Sequence, residues 1–404
     1  MRFFKAFLLF VIVLSVAVCV PAPAAAKTVS SECDISDIEV PIAETSATVD
    51  GALDIKARSA ILLEPNTLEI LYESNADEQL PPASITKIMS LVLIMEAIDR
   101  GDFTTEDVVT ASEHAASMGG SQIWLEPGEA MTVDDLLKAT VIASANDATV
   151  ALAEKVAGSE EGFVRLMNEK AKALGMENTV FINATGLDAA GHLSTAHDVA
   201  LMSAELLKHP LIKTYSTVWM DTLRDGESEL VNTNKLVRFY EGTTGLKTGT
   251  TSGAGYCLAA SAERNGLSLV AVIMGGETSA ARFEGAKKLL DHGFANFSFE
   301  TVTADIGENP KISVKGGVLP EAPLIANGTL GVLTEKSRKG DITRITVLPE
   351  SVSAPVKKGD KVGEIQVFSG ETPVGSIDIL ADADVEKLTF LRALLWLFRG
   401  IFKT

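Results

Sequence analysis

Two strand-like stretches and one buried helix open the predicted globular part of the chain. Residues 57–63 and 68–73 alternate between apolar and polar positions, and residues 64–67 between them are turn formers, which together predict a β-hairpin. The apolar run Ile88–Met95 that follows contains neither glycine nor proline, and it predicts a buried helix that ends near Arg100.

The middle of the chain has mainly helical patterns, and strand patterns return after residue 246. Thr132 followed by Asp135 predicts the capped start of one helix. Further helices are predicted at 147–156, 162–174, 194–208 and 282–294, and strands at 256–262 and 267–275. Strands on both sides of a helical middle predict an α+β unit with an inserted helical lobe, and a cleft between lobes is a common place for a site.

The C-terminal part changes character twice. In residues 299–385, short strand-like runs are separated by glycine, proline, asparagine and aspartate, which predicts a small all-β domain. In residues 386–404, leucine and aromatic residues are interleaved with Arg392, Arg399 and Lys403. The uncharged runs are too short to span a bilayer, so we predict an amphipathic helix that lies in the membrane surface. The alternative is a helix packed on the β domain.

Residues 1–26 have the composition of a secretory signal peptide. Arg2 and Lys5 form a basic start, Phe7–Val20 is apolar, and three alanines end the segment. A transmembrane anchor is the alternative, although the apolar stretch is short. Residues 27–42 are polar and predict a flexible tail. We therefore expect an exported protein on the periplasmic or cell-wall side of the membrane, peripherally anchored there.

The composition excludes some classes of function. With 46% hydrophobic and 22% charged residues the chain is typical of globular proteins, and its net charge of −19 argues against a nucleic-acid partner. Cys19 lies in the signal segment, Cys33 in the tail and Cys257 in an apolar strand-like run, so no disulfide framework is predicted. No cysteine and histidine cluster has the spacing of a zinc site, and we predict neither a metal nor a cofactor.

Ser84 and Lys87 are the first candidates for chemistry. They follow Pro82 at the entry of the predicted buried helix and share one of its faces, because residues three apart are neighbours on a helix. A serine hydroxyl is a weak nucleophile until a base takes its proton, and an amine beside an apolar run favours its neutral form. The pair therefore predicts a nucleophile and its base. The alternative is an N-cap serine followed by a solvated lysine.

Two further short motifs lie downstream. Ser144-Ala145-Asn146 separates two predicted helices, and Lys247-Thr248-Gly249 begins the strand pair. Each has a simple alternative, since Ser144 and Asn146 are good helix caps and Lys247 is a plausible charge at a strand end. The three motifs S-x-x-K, S-x-N and K-T-G in this order are, however, the set found in the active-site-serine enzymes that interact with penicillin.

On these motifs the chain resembles the serine-type D-alanyl-D-alanine carboxypeptidases, which are low-molecular-mass penicillin-binding proteins. The resemblance implies a penicillin-binding or β-lactamase-like catalytic domain at 43–298, with an antiparallel sheet, flanking helices and a helical lobe. It extends to the β domain at 299–385 and to the amphipathic segment at 386–404. It implies that the enzyme hydrolyses the terminal D-alanine of peptidoglycan stem peptides, that β-lactams inhibit it, and that it attaches to the outer face of the cytoplasmic membrane.

The resemblance also implies catalytic roles. Ser84 attacks the carbonyl of the penultimate D-alanine, and Lys87 takes its proton. Burial and the charge of Lys247 lower the pKa of Lys87 enough for this task. Ser144 relays a proton to the leaving amine, and the backbone N–H groups of Ser84 and Thr250 form the oxyanion hole.

The substrate-binding residues implied in the same way are Asn146, Lys247, Thr248, Gly249 and Thr250. Asn146 is expected to hold an amide of the substrate. Lys247 and the two threonines are expected to hold its terminal carboxylate, which explains a requirement for a free C-terminal D-alanine.

Other functions remain as alternatives. A class A β-lactamase has a similar motif order but carries a deacylating glutamate in an E-x-x-L-N motif, which residues 177–183 do not match. A D,D-endopeptidase acting on cross-links uses the same site. A Ser-His-Asp hydrolase with His197 and Asp198 lacks the G-x-S-x-G elbow, and His192 and His197 are expected to be surface or structural residues. A wall-binding protein with an inactive site is disfavoured because all the motifs occur together.

Overall fold

The computed structural model describes residues 53–326, 328–338 and 342–394. The predicted signal peptide at 1–26, with Cys19, and the predicted tail at 27–42, with Cys33, lie outside the described residues. The part of the predicted amphipathic segment beyond residue 394 lies outside them as well.

A five-stranded antiparallel sheet is the centre of the first part of the chain. Its strands and those of two small hairpins are β1 (Ser59–Glu64), β2 (Glu69–Ser74), β3 (Val108–Thr110), β4 (Ala130–Thr132), β5 (Met220–Leu223), β6 (Ser228–Val231), β7 (Thr243–Thr251), β8 (Gly255–Arg264) and β9 (Leu267–Gly276). The large sheet has the order β2-β1-β9-β8-β7. The two predicted strand pairs, β1–β2 and β8–β9, are therefore both present.

Helices cover both faces of this sheet. They are α1 (Lys87–Asp99), α2 (Glu113–Ala116), α3 (Val133–Lys138), α4 (Asn146–Ala157), α5 (Glu160–Ala173), α6 (Ala196–Leu207), α7 (Ile212–Ser216), α8 (Leu236–Phe239) and α9 (Ser279–Asn296). A 3-10 turn, Ala83–Thr86, precedes α1, and a π-helical turn, Ala139–Ala143, follows α3. The predicted cap of α3 is present, because Thr132 Oγ1 accepts a hydrogen bond from the Asp135 amide at 3.1 Å.

The sheet separates two apolar cores. In β1, Ile61 and Leu63 belong to the core shared with the helical lobe, whereas Ala60 and Leu62 belong to the core under α9. Because β1 is buried on both faces, its sequence is a continuous apolar run rather than a clean alternation. Helix α1 is buried on nearly all sides and contacts α4, α5 and α6, which fits its uniformly apolar sequence. This burial fixes the N-terminal end of α1, where Ser84 and Lys87 lie.

The middle of the chain is less purely helical than the sequence predicted. Two small antiparallel pairs, β3–β4 and β5–β6, occur within it, and residues 176–195 form only isolated bridges. The strands of these pairs contain three or four residues, which is too short for an alternating pattern to be recognised.

The C-terminal part is an all-β unit, as predicted. Its strands are β10 (Phe297–Thr303), β11 (Lys311–Lys315), β12 (Glu321–Ala326), β13 (Thr329–Glu335), β14 (Ile342–Val347), β15 (Ser351–Ser353), β16 (Lys361–Ser369) and β17 (Thr372–Ala381). Strand β10 pairs with β13, and a six-stranded sheet has the order β14-β16-β17-β12-β11-β15. A separate apolar core that includes Ile312, Leu324 and Ile377 stabilises this unit.

Residues 390–394 are helical and end the part of the chain that the structure describes. Among the described helices, none combines the length and the apolar character needed to cross a bilayer.

Candidate active site

Ser84 lies in the 3-10 turn Ala83–Thr86, three positions before α1 begins at Lys87. The sequence placed it in the first turn of the helix itself, and the difference arises because Pro82 starts a tighter turn there. Neither Pro82 nor Thr86, which stand at the N-cap positions of the turn and of α1, makes a side-chain cap. Ser84 is therefore not an N-cap, and its half-buried hydroxyl is available for other partners.

The amine of Lys87 joins three segments of the chain. Its Nζ atom is hydrogen-bonded to Ser84 Oγ at 3.1 Å, to Asn146 Oδ1 at 2.6 Å and to the Thr185 carbonyl oxygen at 2.7 Å. Lys87 is completely buried, which excludes the alternative of a solvated lysine. The first two motifs, S-x-x-K and S-x-N, therefore meet at this nitrogen.

These three partners suit a neutral amine. A neutral amine has two N–H donors and one lone pair, whereas the ammonium form has three donors and no acceptor. The oxygens of Asn146 and Thr185 can only accept, so they take the two N–H groups. The lone pair is then left for the Ser84 hydroxyl, the one partner that can donate a proton.

The electrostatics favour the same form. Burial lowers the pKa of Lys87 well below its ordinary value, the positive charge of Lys247 lowers it further, and the carboxylate of Asp147 partly opposes both effects. Charging this amine inside the protein is unfavourable, because its three partners are neutral groups.

The S-x-N motif follows the π-helical turn Ala139–Ala143 directly, and Ser144 is the C-cap residue of that turn. Ser144 has φ 63° and ψ 30°, in the left-handed region, and is 4% exposed. Within the described residues its Oγ atom has no hydrogen-bond partner. Helix α4 starts at Asn146, and its N-cap, Ala145, makes no side-chain cap. The alternative of Ser144 and Asn146 as helix caps is therefore wrong.

Asp147 is a site residue that the sequence reasoning missed. Its carboxylate accepts hydrogen bonds from the amides of Ile123 and Leu125, at 3.1 to 3.2 Å. Asn146 also binds this loop, since its side-chain nitrogen donates to the Gly119 carbonyl at 2.6 Å. The two side chains attach the loop to the start of α4. The available signal in the sequence was the position of this aspartate, which directly follows the asparagine of the S-x-N motif.

The K-T-G motif lies on β7, an edge strand of the large sheet. Lys247 is 1% exposed and lies within the strand, so it is not a charge at a strand end. Gly249 faces the turn of Ser84, and a Cβ atom there would lie 2.8 Å from the Ser84 nitrogen and 3.0 Å from the Ile85 nitrogen. Glycine is thus required for β7 to approach the nucleophile this closely.

The two threonines of this strand have different surroundings. Thr248 is buried, and its hydroxyl donates to Thr233 Oγ1 at 2.8 Å. Thr250 is exposed, and its hydroxyl donates to the Gly249 carbonyl at 2.7 Å. Thr250 is therefore the more accessible of the two for a ligand.

Arg282, on α9, is a second residue that the sequence did not indicate. Its Nη1 atom donates to the Gly249 carbonyl at 3.0 Å and to Thr250 Oγ1 at 3.0 Å. Burial and the charge of Arg282 together lower the pKa of Lys247 to about 7. No motif marks this arginine, because a position one turn into a helix does not reveal which strand it touches.

The loop after α5 supplies the Thr185 carbonyl. Asn183 Oδ1 accepts hydrogen bonds from the amides of Thr185, at 3.1 Å, and Gly186, at 2.7 Å, which shapes this turn. Gly186 has φ +85°, and a Cβ atom there would lie 1.9 Å from the Ala83 carbonyl oxygen. Among the described residues, no carboxylate is hydrogen-bonded to Ser84 or Lys87, so the deacylating glutamate of the β-lactamase alternative has no counterpart here.

The histidines do not join this site. Asp198 accepts hydrogen bonds from Thr179 Oγ1 at 2.7 Å and from the Asn178 amide at 3.0 Å. His197 is 3.8 Å from the Asp198 carboxylate but has no bond to Ser84, so the Ser-His-Asp alternative is wrong. His192 is buried and bonds Thr86, which agrees with the expected structural role.

Comparison with known proteins adds independent evidence. The family described as D-alanyl-D-alanine carboxypeptidase matches residues 44–278, and the family described as the C-terminal domain of penicillin-binding protein 5 matches residues 303–387. The D-alanyl-D-alanine carboxypeptidase DacF of Bacillus subtilis (strain 168) is 42% identical over 340 residues, which are 83% of this chain and 87% of that protein.

Two solved structures are similar as well. Penicillin binding protein 5 from Haemophilus influenzae has a TM-score of 0.73 and 30% identity, over 83% of this chain and 99% of its own. Penicillin-binding protein D2 from Listeria monocytogenes, in the ampicillin-bound form, has a TM-score of 0.55 and 32% identity, over 60% of this chain and 100% of its own. The similarity thus covers both the sheet with its helical lobe and the C-terminal β unit.

Proposed function

The chain belongs to the D-alanyl-D-alanine carboxypeptidase family, and we propose that Ser84 is the nucleophile with which it hydrolyses the terminal D-alanine from peptidoglycan stem peptides. The observation that carries this assignment is the buried Lys87 amine, which has two carbonyl acceptors for its N–H groups and the Ser84 hydroxyl as its third partner. A base in this position activates a serine without help from histidine.

Acylation then follows from the geometry. Ser84 Oγ forms a bond to the carbonyl carbon of the penultimate D-alanine, and Lys87 Nζ takes the hydroxyl proton. The backbone N–H groups of Ser84 and Thr250 are proposed to stabilise the oxyanion. Gly249 supports this proposal, because it keeps the β7 backbone against the Ser84 turn.

Ser144 is proposed to pass a proton to the leaving amine. When the tetrahedral intermediate collapses, the C–N bond breaks, and the amine of D-alanine needs the proton that Lys87 has taken. The Ser144 hydroxyl is buried and has no hydrogen-bond partner in the described part of the chain, so it is free for this relay. Lys87 returns to its neutral form and takes a proton from a water molecule as the water oxygen bonds to the acyl carbon. The bond from that carbon to Ser84 Oγ then breaks, and Lys87 gives the proton back to Ser84 Oγ.

The terminal carboxylate of the substrate is proposed to bind at β7. Lys247 is a buried amine whose Nζ atom has no hydrogen-bond partner among the described residues, and the Nε atom of the buried Arg282 also lacks one. A buried cation without a partner is unfavourable, and a carboxylate would supply the missing interaction. Thr250 is the exposed hydroxyl beside them, while Asn146 is placed to hold the substrate amide as well as Lys87.

β-Lactams are proposed to acylate Ser84 as mimics of the D-Ala-D-Ala end. The carboxylate of a penicillin would occupy the same site at Lys247. The ampicillin-bound form of the Listeria monocytogenes relative supports this part of the proposal.

Export and membrane attachment are also proposed. The support is the composition of residues 1–26, with their basic start and apolar stretch, and the interleaved apolar and cationic residues at 386–404. The extracytoplasmic location of the substrate, peptidoglycan, agrees with both.

The test is D-alanine release from a peptide ending in D-Ala-D-Ala, with a cross-linked dimer as the endopeptidase substrate. Ser84→Ala should abolish release, whereas Ser117→Ala, which removes an exposed hydroxyl bonded only to the His114 carbonyl, should not. Release by Ser84→Ala would overturn the assignment of the nucleophile. Rapid penicillin turnover without a lasting adduct would instead favour a β-lactamase, and cleavage of the dimer alone would favour an endopeptidase.

A further inference from the structure

The turn between β11 and β12 carries two apolar side chains at its tip. Val318 is 37% exposed and Leu319 is 52% exposed, and both lie in the turn that follows Lys315. Scattered exposed apolar residues are normal on a protein surface, so this pair needs a further observation before it indicates a contact.

That observation is the path of the C-terminal segment. The Leu388 amide donates to the Gly316 carbonyl at 2.8 Å, and the Val318 amide donates to the Glu386 carbonyl at 2.8 Å. Gly317 and Lys387 form an antiparallel bridge between these two bonds. The backbone of the turn is thus tied to the backbone just before the helix at 390–394.

Exposed apolar side chains lie on both of the segments that these bonds join. Beside Val318 and Leu319, the side chains of Leu388, Phe390 and Leu391 are 44%, 84% and 65% exposed. Five exposed apolar residues on two segments joined by backbone hydrogen bonds are more than the single exposed residues of an ordinary surface, and they indicate an interaction site.

We propose that the Val318–Leu319 turn enters the lipid surface together with the C-terminal segment, so that the enzyme contacts a bilayer at two points. This inference rests on the proposed membrane attachment of residues 386–404. The occupant is a phospholipid bilayer with anionic headgroups, because the sequence beyond residue 394 places leucine, tryptophan and phenylalanine before Arg399, and isoleucine and phenylalanine between Arg399 and Lys403.

The charge distribution supports this occupant. The whole chain has a net charge of −19, so an anionic surface repels most of it. Lys315 and Lys387 are exposed on either side of the apolar turn, and both present positive charge there. The cationic and apolar groups therefore coincide at this end of the β unit.

Attachment at two points restricts the orientation of the protein on the membrane more than attachment at one point does. A single helix leaves the protein free to rotate about its attachment, whereas a second insertion point a few residues of backbone away fixes the tilt of the β unit. The turn is held to the anchor segment by two backbone hydrogen bonds, which form one antiparallel bridge, so it moves with that segment.

The experiment measures binding of the full mature chain to vesicles of phosphatidylglycerol and phosphatidylethanolamine. Leu319→Gln should raise the dissociation constant about tenfold, because one leucine no longer enters the lipid. The matched control is Ile345→Gln on β14, at the opposite edge of the same sheet, since Ile345 is also 52% exposed. The control should bind like wild type, and both variants should release D-alanine normally from a soluble peptide.

A chain that ends at residue 389 separates this inference from the anchor on which it rests. The stop lies after Leu388, so the backbone bonds to the turn are kept. Loss of binding in this chain, with no effect of Leu319→Gln in the full chain, would overturn the two-point contact and leave the anchor standing. Undiminished binding by the shortened chain would overturn the anchor.

A second measurement reports the depth of the turn. Leu319→Trp and Ile345→Trp are compared for fluorescence quenching by brominated lipids, and the three native tryptophans contribute the same background to both. Greater quenching for Leu319→Trp is expected. Equal quenching would contradict insertion of the turn.

Discussion

Lys87 Nζ lies 2.6 Å from Asn146 Oδ1, and this buried hydrogen bond links the turn of the proposed nucleophile to the start of α4. The bond gives Asn146 a task that differs from the one predicted for it. It was expected to bind substrate, and in the structure it bonds the amine of the proposed base. One amide can do both, since its nitrogen and its oxygen have different partners.

Replacing this amide by a carboxylate should change the pH at which the base works. In Asn146→Asp an anion beside Lys87 favours the charged amine and raises its pKa, so the base is neutral only at higher pH. We expect acylation at neutral pH to fall by at least about 100-fold and the acid limb of its pH profile to move upward. The measurement is the rate of labelling by a fluorescent penicillin between pH 5 and 10.

Asn146→Ala is the control for that variant. It removes the acceptor and the positioning without adding a charge, so acylation should slow at every pH and the limb should not move upward. An unmoved limb in Asn146→Asp would contradict the role of Lys87 as the base.

The close approach of β7 to the nucleophile predicts a severe effect of one methyl group. In Gly249→Ala the new Cβ meets the Ser84 nitrogen at 2.8 Å, and backbone cannot rotate away as a side chain can. We expect acylation to fall by about 100-fold, because an error of about 1 Å at a reacting group has that effect. Gly253→Ala is the matched control, since its Cβ would be 3.4 Å from the nearest atom, in Asp188. Near-normal labelling of Gly249→Ala would show that β7 can move away from the Ser84 turn without slowing acylation, which would contradict the prediction.

The charge of Lys247 predicts the alkaline limb of kcat/KM. Its pKa of about 7 means that the free enzyme loses this charge as the pH rises through about 7, and the binding of a terminal carboxylate weakens with it. Arg282→Gln removes one cause of the low pKa, so the limb should move to higher pH. Arg264→Gln, which removes a charge stacked on Tyr240, should not move it, because Lys247 pairs with Ala259 and Arg264 lies at the far end of β8 from there. If the limb stays fixed in Arg282→Gln, another group controls it.

His192 predicts a loss of stability in acid. Its Nδ1 atom accepts from the Ile182 amide at 3.1 Å, so Nε2 carries the hydrogen that is donated to Thr86 Oγ1 at 2.9 Å. Burial lowers the pKa of His192 from 6.5 to about 4, and the unfolded chain therefore takes up a proton first as the pH falls. The stabilisation is complete above pH 6.5 and is lost between pH 6.5 and 4.

The corresponding measurement is urea unfolding at pH 7 and pH 5. His192 should lower the free energy of unfolding by about 2 kcal/mol over that interval. His192→Gln keeps an acceptor and a donor but does not titrate, so its own decrease should be smaller by this amount. Parallel decreases in both proteins would mean that His192 does not control the acid limb of stability.

The sequence predicted elements whose signals are local. The hairpin of β1 and β2, the Thr132 cap and the long apolar α1 depend on residues a few positions apart, and all three are present. The hairpins β3–β4 and β5–β6 were missed because three or four residues carry no usable period. The turn of Ser84 was placed in the helix because 3-10 and α geometry differ by less than a sequence pattern can resolve.

The candidate site was predicted from motifs, and its supporting groups were not. Ser84 and Lys87 are hydrogen-bonded to each other, and Asn146, which was expected to hold the substrate, also bonds the Lys87 nitrogen. The Thr185 carbonyl lies in the loop after α5 and Arg282 lies in α9, and no sequence motif indicates that either belongs to the site. Every residue type has a backbone carbonyl, so the sequence does not indicate which one enters a site. The contact between α9 and β7 depends on the folded sheet, so a local sequence pattern does not predict it.

Ser144 limits how this protein can change over generations. Its left-handed backbone suits glycine best, but glycine has no hydroxyl, while threonine keeps the hydroxyl and is strained at φ 63° by its branched Cβ. Asparagine tolerates the conformation but replaces the hydroxyl with an amide. None of these three replacements therefore keeps both the hydroxyl and an unstrained backbone at position 144.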